Sequence, residues 1–196
     1  MTDAANLLES PDRELWIVTA RAGQSASGLV ATFVTGASIV PDIPRAIVGL
    51  AKQHCTWELV EANGAFALHL IDEAHIDWVW RFGLQSGRDT DKLAGLDWHT
   101  GATGSPLLDK ALGWLDCRVE DRVDAGDRTI YLAEVVAAQS TPKLNPLTVR
   151  RMLELAAPEQ MQELKRQRGE DARRDAEAIR AWRSGRTGAS PAVHTS

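Results

Sequence analysis

Cysteine is scarce in this 196-residue chain: Cys55 and Cys117 are the only two, and they lack CxxC spacing. That excludes a disulfide framework and the usual zinc or redox site. No stretch approaches the roughly 18 uncharged apolar residues of a membrane span, and Met1 to Pro11 lacks the basic-then-apolar layout of a signal peptide. A cytoplasmic setting without a membrane partner is expected. No Walker, GxSxG or dinucleotide GxGxxG motif occurs. The histidines His54, His69, His75, His99 and His194 never fall at HxxxH or HExxH spacing, so no metal site is expected. Basic residues are also sparse over most of the chain. Residues 1–148 hold 12 Lys and Arg against 20 Asp and Glu, whereas residues 149–196 hold 10 against 7. An acidic body disfavours nucleic acid, because non-specific affinity for phosphate backbones needs clustered cations. The basic tail interleaves arginine with Glu and Asp, which reads as a solvated or dimer-bridging helix.

The chain is 44% hydrophobic and 25% charged, the composition of one globular domain with an appendage. After a polar leader, Leu15–Ala20 and Leu29–Thr35 read as strands around a turn at Gln24–Gly28. Arg45–Ala51 is a third strand, ending in the polar cluster Lys52-Gln53-His54-Cys55-Thr56. Thr56 is the expected N-cap of a short helix that Asn63-Gly64 stops. Phe66–Ile71 is another strand, and Asp72 caps a second helix carrying Ile76, Val79 and Trp80 on one side, with Trp78 and Phe82 four apart. Leu112–Val123 and Thr129–Ala138 should pair antiparallel across Asp124-Ala125-Gly126-Asp127. Because helices do not alternate regularly with strands, the class is α+β, mainly β, with a closed antiparallel barrel favoured. Beyond Pro146 the composition shifts to helix formers, with a start at Pro158 and an i,i+4 pair from Glu170 to Arg174.

The Thr56 region carries the best local chemical signal. A strand delivers Lys52, His54 and Thr56 to a helix N-terminus, where free N–H groups and the helix dipole suit an anion such as phosphate. The plainer reading is that Thr56 only caps its helix and Lys52 is solvated. His69, in an apolar strand, reads as a hydrogen-bonded core histidine ahead of a cavity-lining one.

These segments carry a family resemblance. Trp16-Ile17-Val18-Thr19, Gly28-Leu29-Val30-Ala31-Thr32 with Ser38 and Pro41, and Ala51-Lys52-Gln53-His54-Cys55-Thr56 are similar in order and spacing to the flavin reductase-like family. Gly64 to Leu70, Arg81-Phe82, Ser105 to Leu108, Ala111 to Cys117 and Ala125 to Ile130 extend the match to about Ala138. The resemblance implies an FMN-binding split β-barrel with short helices and a C-terminal helical extension. Its domains are a leader at 1–13, the barrel at 14–140, the extension at 141–183 and a disordered tail at 184–196. It implies a homodimer binding FMN ahead of FAD, taking hydride from NAD(P)H, and serving a partner monooxygenase or a small acceptor. The implied cofactor-binding positions are Val30, Ala31 and Thr32 beside the flavin ring, Ser38, and Lys52, His54, Cys55 and Thr56 beside its phosphate. Backbone N–H groups near Val30–Thr32 would stabilise charge on reduced flavin. Arg128 stands where the family commonly has histidine. It is the implied substrate-binding residue, gripping a phosphate or carboxylate, or else an interface ion pair. The alternatives are a flavin-binding module without its own nicotinamide reductase activity, and a haem-binding split barrel using His54 or His69.

Overall fold

The computed structural model describes residues 3–186. Seven strands form one antiparallel sheet: β1 (Trp16–Ala22), β2 (Ser25–Ala31), β3 (Val34–Gly36), β4 (Arg45–Ala51), β5 (Ala65–Leu70), β8 (Gly113–Asp124) and β9 (Arg128–Ser140). They lie in the order β2-β1-β5-β8-β9-β4-β3, and the sheet curls until β2 approaches β4, which gives the split barrel. A separate hairpin pairs β6 (Trp98–Thr100) with β7 (Pro106–Leu108). The helices are α1 (Asp3–Glu9), α2 (Cys55–Asn63), α3 (Ile76–Leu84), α4 (Val149–Leu155) and α5 (Pro158–Arg186). No described helix is long and apolar enough to cross a membrane.

Alternation along the strands builds two apolar layers. Val18 and Ala20 of β1, with Phe66 and Leu68 of β5, face the barrel interior beside Val48, Leu50, Tyr131 and Ala133. The opposite face of β1 sends Leu15 and Ile17 into an outer layer with Val79, Phe82, Leu108, Leu147 and Met152. A strand buried on both faces needs polar residues that are fully satisfied, and His69 meets that condition. Its Nδ1 donates to the Ile17 carbonyl (3.0 Å) and its Nε2 accepts from the Leu108 N–H (3.1 Å). Burial pushes its pKa down to about 4, so the ring is neutral, and both nitrogens are occupied. His69 is thus the hydrogen-bonded core histidine, with no lone pair left for haem iron.

Several local expectations shift. The first hairpin turns at Gly23-Gln24, not Gln24–Gly28: Ala22 pairs with Ser25, and Gly23 adopts a φ of +58°, which favours glycine. The polar run Ser25–Gly28 is therefore part of β2. Asp72 caps a 3₁₀ turn (Glu73–His75), accepting from the Ala74 N–H, and α3 follows it. Gly64 stops α2 as expected, with a φ of +68°. Chain beyond β9 returns to the barrel, where Leu147 N–H donates to the Ile71 carbonyl and Leu15 N–H to the Leu147 carbonyl. Glu170 bonds Arg166, while Arg174 faces Asp171 and Gln53, so the expected Glu170–Arg174 pair does not form. Residues 184–186 of the expected tail belong to α5, and 187–196 lie outside the described residues.

Candidate functional site

The site forms where β4 runs out. β4 pairs with β9 so that Ala51 faces Arg128, and the Lys52 N–H donates to the Asp127 carbonyl (3.0 Å). The chain then turns through His54, whose N–H donates to Ala51, and α2 begins at Cys55. The N-cap is therefore His54, not Thr56. Because the turn closes on Ala51, the helix starts early enough to put Thr56 inside its first turn, where it is buried. The His54 backbone is extended and its side chain makes no capping bond. The first turn of α2 thus presents backbone donors that no side chain satisfies, which suits an anion. The Trp57 indole N–H anchors the helix to Thr129 (2.9 Å).

Cations and their carboxylate partners surround this helix start. Arg88 donates to the Gln53 carbonyl (2.9 Å) and to Glu58 (2.6 Å). Lys52 pairs with Asp124 (2.7 Å), which lowers the Asp124 pKa. Lys92 is buried, donates to the Gly28 and Phe82 carbonyls (3.0 and 2.8 Å), and is pushed down by burial to about 8. His54 is held below its usual pKa first by burial; the Asp171 carboxylate opposes this, and Lys92, Arg88 and Arg174 add to it. The Cys55 side chain borders Gly87, where an added Cβ would collide with Ser27 Oγ.

Arg128 sits beside this anion cradle. Its guanidinium lies 4.7 Å from the centre of the half-exposed Phe33 ring, and Phe33 follows the Ala31-Thr32 corner. It binds Asp127 (2.6 Å) and Asp175 of α5 (3.2 Å). Burial and the nearby Asp127 raise the Asp175 pKa, and Arg128 opposes them.

The structure therefore gathers Lys52, His54, Cys55, Thr56 and Arg128 at the adjoining ends of β4 and β9, with Phe33 linking them to Thr32. Ala31 packs in the barrel core, and Val30 faces the outer layer beside Gly83. Ser38 lies apart in the β3–β4 loop, where its hydroxyl accepts from the Val40 N–H and lines an apolar groove of about 350 Å³ with Trp16, Ile39 and Leu115.

Sequence reasoning missed Lys92 and the whole polar face of α5. Gln167 donates to the Leu84 carbonyl, Arg174 to Gln53 Oε1 and Arg128 to Asp175, while Ala178, Ile179 and Trp182 lie against Gly126. Positions 167, 171, 174 and 175 recur at helical spacing, but as polar residues. A search for apolar periodicity passes over such a stripe.

A curled antiparallel barrel with a helix start that carries no side-chain cap, set beside cations and their carboxylate partners, is an arrangement that suits an anion. Comparison gives the family: residues 12–152 match the flavin reductase like domain, and the chain belongs to the flavin reductase-like family. A high molecular weight rubredoxin from Moorella thermoacetica is 32% identical over 136 residues, 68% of this chain and 58% of that protein. The reductase subunit HsaB of a flavin-dependent monooxygenase from Mycobacterium tuberculosis is 32% identical over 91 residues, 46% of this chain and 47% of its own length. The chain thus spans about half the length of the curated relatives it matches. Among solved structures, nitrilotriacetate monooxygenase component B from Mycobacterium thermoresistibile is 27% identical with a TM-score of 0.63, covering 73% of this chain and 77% of that one. The NADH:FAD oxidoreductase SgcE6 of Streptomyces globisporus, 24% identical with a TM-score of 0.63 over 72% of this chain and 85% of that one, shares the fold.

Proposed function

We propose that this protein is an NAD(P)H-dependent flavin oxidoreductase that holds FMN, in preference to FAD, between the Ala31-Thr32 corner and the start of α2. The observation that carries this reading is the start of α2, without a side-chain cap and beside Arg88 and Lys92. That donor set fits a flavin phosphate: backbone N–H groups of the first turn to hold its oxygens and cations to offset its charge. Flavin supplies hydride acceptance when bound. The chain's own part is to hold the phosphate at Cys55–Thr56, to keep Lys52 and His54 beside it, and to place Arg128 where an anionic group of the second ligand arrives. Val30 and Ser38 lie away from this cradle, in the outer layer and in the apolar groove of the β3–β4 loop.

Two features support a homodimer. Ile39 is 100% exposed, and Val40, Ile43 and Phe33 are exposed on the same stretch. Ile39 and Val40 line the apolar groove under Ser38, the kind of patch that a second copy covers. A partner monooxygenase or a small acceptor as the electron sink is supported by the reductase-subunit relative, and a cytoplasmic setting by the scarcity of cysteine.

Loading the full chain with FMN or FAD, reading the flavin spectrum, and then following NADH and NADPH oxidation tests this. Bound FMN with turnover is expected. Bound flavin without turnover on either nicotinamide would leave the second reading, a flavin-binding module, which the engagement of Arg128 by Asp127 and Asp175 favours.

A further inference from the structure

The last long helix, α5, crosses the outside of the candidate site. From its N-terminal side it is held at the Leu84 carbonyl by Gln167, at Gln53 by Arg174, at Arg128 by Asp175 and at Gly126 by Trp182. Two of these four points, Gln53 and Arg128, belong to the segments assigned to flavin phosphate and second ligand. The third ligand-side residue, His54, lies in the field of Asp171 from the same helix.

We propose that Asp175 is an internal competitor at Arg128, a carboxylate occupying the position of an incoming phosphate, so that α5 is a lid which an anionic ligand displaces. The inference rests on the flavin-site reading above. Arg128 already has a local counter-ion in the adjacent Asp127, at 2.6 Å. Asp175 therefore adds a second carboxylate from 47 residues away in sequence. Neutralising Arg128 does not require it. The two carboxylates repel each other, and the burial that raises the Asp175 pKa adds to the strain of keeping it charged there. A phosphate brings more acceptor oxygens and more charge to the guanidinium fork than one carboxylate oxygen does. The lid is also weakly held. α5 buries no residue completely: Leu164 and Trp182 are only partly covered, against the outer layer and Gly126, and the other attachments are partly exposed polar pairs. By contrast Gly126 allows the close approach: a Cβ there would lie 2.9 Å from Trp182 Cβ.

The test titrates inorganic pyrophosphate onto the full chain, reading affinity by calorimetry and amide hydrogen exchange across residues 167–182. Asp175→Asn keeps the side-chain shape and removes the competing charge, so pyrophosphate should bind about fivefold more tightly. Asp175→Glu restores the charge and should bind as the parent does. In the parent chain, saturating pyrophosphate should accelerate exchange across 167–182. Unchanged or weaker binding in Asp175→Asn, equal tightening in Asp175→Glu, exchange that pyrophosphate leaves unaltered, or pyrophosphate that binds none of the three proteins would each overturn the latch. A separate FMN titration keeps the two claims apart. Tightened pyrophosphate binding without FMN binding keeps the latch and sinks the flavin reading; FMN binding with pyrophosphate affinity unmoved does the reverse.

Discussion

All six residues of β5 are buried, whereas none of the 29 residues of α5 is. β5 gains its place by removing Phe66 and Leu68 from water on one face and satisfying His69 on the other, which ties it to the cooperative stability of the barrel. α5 is held by partly buried Leu164 and Trp182 and by Gln167, Arg174 and Asp175, whose polar partners water and salt can replace. The contrast separates a scaffold buried on every side from an element attached only at its surface. The candidate site lies on the boundary, with its floor from β4 and β9 and its outer wall from α5.

The largest expected break of this contrast is Phe66→Ala. Phe66 is fully buried in the barrel, and truncation leaves a cavity that lowers unfolding free energy by about 3–5 kcal/mol. Urea unfolding of the variant measures it; a loss close to that of an α5 surface substitution would erase the distinction between the two regions.

His69 sharpens the comparison through pH. Its folded pKa of about 4 lies below the ordinary value of 6.5, so the folded state takes up the proton later than the unfolded chain does. Its contribution is complete above pH 6.5, declines as pH falls from 6.5 to 4, and is gone below that, amounting to about 3 kcal/mol. His69→Gln should flatten the dependence of the urea midpoint on pH across that window. An unaltered slope would show that the ring titrates normally.

The smallest expected effect falls on α5 alone. Gly126 has a φ of +95° and faces Trp182 and Ala178, so Gly126→Ala both strains the turn and pushes the helix outward, at about 1–2 kcal/mol. Hydrogen exchange should quicken across 167–182 while β5 keeps its protection. Equal loosening of both would mean that α5 is part of the barrel's cooperative unit.

Local chemistry determined much of this protein from sequence. Gly64 stops α2 because glycine adopts a positive φ without a Cβ penalty, Asp124 to Asp127 turns β8 into β9, and Pro158 opens α5. The neighbourhood of Lys52, His54, Cys55 and Thr56 was legible because those residues are contiguous and end in a helix. The capping residue was not, since Thr56 and His54 compete for that place and the turn onto Ala51 decides between them. Nor was the pairing of Glu170, because Arg166 and Arg174 are equally spaced from it and Gln53 draws Arg174 away.

Sequence by itself thus determined most strands of the main sheet, the turn from β8 to β9 and the family's ordered segments, all of which follow from short-range rules of backbone conformation and side-chain period. Tertiary structure alone decided that Lys92 reaches the Gly28 carbonyl, that Ser38 lies apart from the anion cradle, and that Asp175 meets Arg128. Those contacts join residues many positions apart through polar atoms, and no periodicity in a chain records which distant donor a carboxylate will meet.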